Sequence, residues 1–204
     1  MTYVVEDFVP YDRSKHWRLS QAYYQNKGLD AWQKGDIPYH ITSCYPGARQ
    51  YAGFLVDYVS GLEADGLLGP DEHVRGLEMG SGPGYFAAQV IVALKKGLGP
   101  KGQQLASRLT YVMTDLAEEV LRDASGRPHL KEVVAEGLIV PAVLNVCDPT
   151  VPKDLEGRAL PGPYLAVFGN YIVDSLPAKR LSRSGDTWEE LYLALHANPE
   201  WNEW

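Results

Sequence analysis

Gly76-Leu77-Glu78-Met79-Gly80-Ser81-Gly82-Pro83-Gly84-Tyr85-Phe86-Ala87-Ala88 constrains this chain more than any other stretch. It reads as a buried strand running into a glycine turn and then a helix. An acid stands two residues before the first glycine of the turn, and the glycines alternate. A ligand reaches main chain only where no side chain intervenes, and a sharp turn often needs a positive φ, so glycine fits both demands. The first turn of the following helix presents N–H groups and a partial positive charge.

The spacing separates two kinds of ligand. A dinucleotide fingerprint is G-x-G-x-x-G/A, which cradles a pyrophosphate. Counted from Gly80, its last position is Tyr85, so the fingerprint fails. Glu78 beside the turn repels a pyrophosphate and favours a cation. S-adenosylmethionine (SAM) carries an ammonium and a sulfonium and has no phosphate, so the pattern points to SAM more than to NAD. Gly80, Ser81, Gly82 and Gly84 are then the cofactor turn. Turns of this kind also occur in α/β proteins that bind nothing there.

The chain has 204 residues, enough for one domain with a core and a small N-terminal extension. Its formal net charge of −7 argues against a nucleic-acid partner, whose phosphates need a basic face. No apolar run is long enough to span a bilayer, and the N-terminus lacks the basic and apolar regions of a signal peptide. Cys44 and Cys147 are far apart and read as free thiols of a reducing compartment, hence a cytoplasmic location. The five histidines show no metal-ligand spacing.

Periodicity predicts a helix over 14–32 with Leu19, Ala22 and Tyr23 on its apolar side, broken by Gly35-Asp36 and Pro38. A second helix follows Pro46, with Tyr51, Leu55, Tyr58, Val59 and Leu62 at helical spacing. After Gly84, Phe86, Val90 and Leu94 step by four, flanked by Ala87 and Ile91, until Gly97-Leu-Gly-Pro100 stops the helix. Strands are predicted at 109–113, 138–146 and 164–168, with a fifth at 190–195. A helix beginning at 118–123 is interrupted by Gly126, and Pro128 can restart it. Strand–helix alternation of this kind predicts a doubly wound, mostly parallel, Rossmann-like sheet. Residues 1–70 form a helical lid and 71–204 the cofactor-binding core.

Ligands of such sheets bind beyond the carboxyl ends of the strands. Glu78, Asp115, Asp148 and Asn170 each close an apolar strand. Asp115, followed by Leu116, is placed to accept two hydroxyl hydrogen bonds from a ribose; it also precedes a helix and can serve as its N-cap. Asp148 can accept from an adenine amino group, or be plain Asp-Pro turn chemistry. Asn170 and Asp174 face the reacting partner or cap a local helix. The N-terminal aromatics Tyr11, Trp17, Tyr23, Tyr24 and Trp32 line an acceptor pocket or serve packing.

On Glu78, Gly80, Gly82, Gly84 and Asp115 the chain resembles class I SAM-dependent methyltransferases. More narrowly it is similar to the MidA-like family, which includes the mitochondrial complex I assembly-factor arginine methyltransferases. Tyr23-Tyr24, Gly35-Asp36 and Thr42-Ser43 resemble that family's "YY … GD-F-x-T-S" segment. Gly169-Asn170-Tyr171-Ile172-Val173-Asp174-Ser175-Leu176-Pro177 resembles its "A-N-E-x-x-D-A-x-P", and Trp188-Glu189-Glu190 its "W-x-E". Tyr171 stands where the family usually has Glu, an acid suited to a guanidinium.

The resemblance implies methyl transfer from SAM to a nucleophile on a protein or small molecule. Asp174 is then the candidate general base, and Asn170 orients the acceptor. A class I sheet normally has seven strands and family members are longer, which makes this chain a C-terminally truncated core, one part of a larger polypeptide. The alternatives are a non-catalytic SAM-fold assembly or partner-binding module, and an NAD-dependent oxidoreductase.

Overall fold

A computed structural model gives the structure of residues 2–35, 43–170 and 172–198. Asp36, Pro38, Thr42 and Tyr171, named above, lie outside the described residues. In chain order the elements are strand β1 (Tyr3–Pro10) and helices α1 (Lys15–Lys27), α2 (Asp30–Gln33) and α3 (Tyr45–Ala64). Then come β2 (Val74–Glu78), α4 (Tyr85–Val92), α5 (Gly99–Ala106), β3 (Leu109–Asp115), α6 (Glu118–Ser125) and α7 (Lys131–Ala135). Strands β4 (Ile139–Val143), β5 (Lys153–Asp154), β6 (Ala166–Phe168), β7 (Leu181–Ser184), β8 (Thr187–Glu190) and β9 (Tyr192–Ala197) complete them.

The chain divides into two compact units, one of residues 27–172 and one joining the first 26 residues to those after Ile172. Residues 27–70, grouped with an N-terminal extension by the sequence reading, therefore share a unit with the glycine turn. The reason is the buried stripe of α3, where Ala48, Ala52, Leu55, Val56 and Val59 join the same core as Phe86, Val90 and Ile91 of α4.

That unit is mixed α/β, built on a five-stranded sheet of order β5-β4-β3-β2-β6. Strands β4, β3, β2 and β6 are parallel, and only the two-residue β5 is antiparallel. Val74, Leu109, Tyr111, Met113, Ile139 and Phe168 point to one face and pack with residues of α3 to α6. Leu77, Val112 and Ala142 point to the other, where Leu144, Leu160 and Tyr164 cover them. This alternation is the two-residue period of strands. No described helix contributes to the second cluster, so the double winding expected from the sequence is absent from the described residues. The strand order supplies the reason. Crossovers β2–α4–β3 and β3–α6–β4 step in one direction, and crossovers of one hand deliver their helices to one face. The return to β6, on the far side of β2, carries no helix.

Helix α4 runs on through a π turn at Ala93–Gly97. Gly99-Pro100 then opens α5, which the sequence reading missed by taking these residues only as a stop signal. Proline suits the first helical turn, where its missing N–H is not needed. Arg108, 8% exposed, pairs with Glu63 and donates to the carbonyls of Gly69 (2.9 Å) and Glu72 (2.8 Å). It thereby ties the loop before β2 to the start of β3.

In the other unit β1 pairs antiparallel with β9, and β7 with β8. The fifth strand expected at 190–195 is thus real as a strand, β9, but belongs to this small ribbon. Helix α1 buries Trp17 only, and Leu19, assigned to an apolar side, is 53% exposed. The run predicted over 14–32 breaks at Gly28, whose φ is +53°. Glu6 fixes the start of α1 by accepting from Ser14 Oγ (2.7 Å) and the Lys15 N–H (2.9 Å).

Candidate functional site

The strand order reverses between β2 and β6, and the glycine turn leaves the carboxyl end of β2 at that point. Such switch points hold the ligand crevices of parallel sheets. Local hydrogen bonds fix the turn. The Met79 N–H donates to the Phe168 carbonyl (2.8 Å) and the Ser81 N–H to the Thr114 carbonyl (2.9 Å). Thr114 Oγ1 donates back to the Glu78 carbonyl (2.5 Å). The turn is thereby anchored to the ends of both neighbouring strands.

Asp115 is the other anchor. Its Oδ2 accepts from the Gly82 N–H (2.9 Å) and its Oδ1 from the Ala117 N–H (3.1 Å). The structure thus brings Asp115 together with the turn. It does not make Asp115 the N-cap of α6, because Ala117 holds that position with no side-chain cap. Burial raises the Asp115 carboxyl above its ordinary range, offset in part by the N–H groups of Ala117, Gly82 and Leu116.

Glu78 is 2% exposed. Tyr111 donates its hydroxyl to Glu78 Oε2 at 3.1 Å. Burial pushes Glu78 up to about 8, the Tyr111 hydrogen bond opposes this, and the nearby Asp115 charge adds to it. Near pH 7 Glu78 is therefore mostly neutral, ready to ionise when positive charge arrives. Among the described residues neither Glu78 nor Asp115 forms an ion pair. Ser81, 8% exposed, buries an Oγ that has no hydrogen-bond partner among the described residues.

Tyr111, which sequence reasoning passed over, stands opposite Gly76 in the β2–β3 register and stacks on Phe168 with ring centroids 5.7 Å apart. The available signal was a hydroxyl inside an otherwise apolar strand, which has to find a buried partner. Trp32 and Ile172 were not assigned to the turn either. A Cβ built on Gly82 meets the Trp32 indole at 3.0 Å, and one built on Gly80 collides with the Ile172 side chain.

The remaining candidates are less tightly gathered. Asn170 follows β6 and is half-buried. Asp148 is exposed on the loop after β4, its N–H donating to the Asn145 carbonyl (3.2 Å). Asp174 lies on a 3₁₀ turn, Val173–Ser175, in the other unit and is exposed. Cys44 and Cys147 are not joined in a disulfide. No described helix is long and apolar enough to cross a membrane, and no group of three or more His, Cys, Asp or Glu among the described residues could hold a metal ion.

No family model matches this chain, and no curated protein matches it. Among solved structures it matches an uncharacterized ACR, COG1565 superfamily protein from Burkholderia thailandensis. The identity is 18%, the TM-score is 0.44, and the match covers 93% of this chain and 44% of that one. The chain thus spans less than half the length of that protein.

Proposed function

We propose that this chain binds S-adenosylmethionine at the glycine turn and moves its methyl group to a nucleophilic acceptor. One observation carries the reading. Two acids, Glu78 and Asp115, flank a glycine turn at the sheet's switch point, both are held above their ordinary range by burial, and neither has an ion-pair partner among the described residues. A ligand for this place does best by bringing positive charge of its own. The ammonium and sulfonium of an adenosyl amino acid do so, whereas a dinucleotide's pyrophosphate adds negative charge. The unpartnered Ser81 Oγ offers one more polar contact.

When bound, the cofactor supplies a methyl carbon attached to an excellent leaving group. The methyl group would pass to the acceptor's lone pair, with the C–S electron pair retained by sulfur. Any proton on the acceptor would pass to a base, and Asn170, which follows β6 in the same unit as the turn, is the candidate to orient the acceptor. The protein's task is then alignment and exclusion of water. Asp115 keeps unused lone pairs on both oxygens and is the candidate ribose acceptor, next to Leu116. Asp148 is the candidate for the adenine amino group.

A second reading, a SAM-fold module without catalysis, is favoured by the fact that the space over Gly80 and Gly82 is taken by Ile172 and Trp32.

Calorimetric titration with S-adenosylhomocysteine tests the proposal. Micromolar binding is expected, weakened about 10- to 100-fold in Asp115→Ala by the loss of a charge-assisted hydrogen bond. Unchanged affinity in that variant removes Asp115 from the site, and preference for NAD removes the proposal. Binding with no transfer to any acceptor by the wild type selects the second reading.

A further inference from the structure

The atoms nearest the glycine turn belong to the chain itself. Trp32, on the four-residue helix α2, lays Cζ2 and Cε2 at 3.0 and 3.1 Å from a Cβ position on Gly82, with Nε1 at 3.4 Å. Ile172 fills the corresponding position at Gly80. Both side chains are half-buried, and Trp32 also packs on the core cluster. The two glycines that leave main chain open to a ligand are thus covered on their Cβ side by an indole and a sec-butyl group. Two sets of atoms cannot share that space. A ligand that approaches Gly80 and Gly82 from this side has to displace the cover.

We infer that Trp32 and Ile172 form an apolar cover that closes the cofactor turn and competes with the cofactor for it. This rests on the reading of the turn as an adenosyl-ligand site. Apparent affinity is then the intrinsic affinity reduced by the fraction of molecules whose cover is open. The cover also shields the two glycines on their Cβ side. Its chemistry selects ligands able to replace apolar contact with flat or apolar surface of their own, such as a purine or a thioether chain. Inorganic anions cannot make that exchange.

The experiment titrates S-adenosylhomocysteine into the wild type, Trp32→Ala and Ile172→Ala, each first checked for a cooperative melt. Removing either half of the cover is expected to tighten binding, by about 10-fold for Trp32→Ala and less for Ile172→Ala. Ile172→Ala keeps the test decisive where loss of the indole unfolds the chain. Binding that is unchanged or weaker in the folded variants overturns the cover and leaves the adenosyl reading intact, with Trp32 then serving as a contact for the ligand. No binding to any of the three overturns the cover together with the reading on which it rests.

Discussion

Glu78→Gln is expected to remove a pH dependence of stability that the wild-type chain carries between about pH 4.5 and 8. The folded chain holds the Glu78 proton up to about 8, whereas the unfolded chain releases it near the ordinary value of 4.5. Between these values the native state binds more protons than the unfolded state. Stability therefore falls as the pH rises, and the contribution is fully present only below the unfolded value. The limiting size is about 5 kcal/mol, reached above pH 8, when an ionised carboxylate sits in the core.

Glutamine keeps the shape and can still accept from Tyr111, but has no charge to bury. The variant should match or slightly trail the wild type at pH 4.5 and exceed it at pH 8.5. Denaturant unfolding at a series of pH values measures the difference, and parallel curves for the two chains remove the buried-acid account. The same ionisation couples to ligand: below pH 8, uptake of a cationic ligand should release protons, visible as a buffer-dependent heat in the wild type and reduced in Glu78→Gln.

Gly84→Ala should destabilise the fold by about 2–5 kcal/mol, at the upper end enough to unfold much of the population of a marginal domain. Gly84 precedes α4 with φ +72° and ψ +15°, a left-handed conformation that costs an ordinary residue roughly 1–2 kcal/mol. Space makes it worse. A Cβ there lies 2.6 Å from Leu130 Cδ1 and 2.7 Å from Met113 Sδ, and both residues are fully buried. Overpacking of that kind adds about 1–3 kcal/mol. A thermal melt reads the loss directly. A variant as stable as the wild type shows that α4 can move, and then the turn is not the fixed platform described above.

The core of this architecture was legible because its signals are local. Parallel strands buried on both faces read as near-continuous apolar runs, as 109–113 does, and the glycine spacing is turn chemistry written in a few adjacent residues. Phe86, Val90 and Leu94 carry the helical period into a fully buried stripe. What escaped depends on partners distant in sequence. The sequence marks 190–195 as a strand, found at Tyr192–Ala197, but does not say that it pairs with Tyr3–Pro10. It marks Tyr51 and Tyr58 as part of an apolar helix face, yet both lie at its exposed margin, at 39% and 53%. Glu78 and Asp115 were visible as acids at strand ends. Their lack of a counter-charge among the described residues, the hydroxyl of Tyr111 and the indole over Gly82 emerge only when separate segments meet.

The sheet order also bears on how the molecule assembles. Strands β2, β3 and β4 are linked by short crossovers, whereas β6 returns to β2 from much later in the chain. Closing a longer loop costs more entropy before contacts compensate, so β6 is expected to dock last and leave first. The switch point beside Glu78 is then finished by the final folding step. Native-state hydrogen exchange should find Val167 and Phe168 opening ahead of Val112 and Met113. A ligand held there would act on that late step, slowing departure of β6 more than it hastens collapse of the rest.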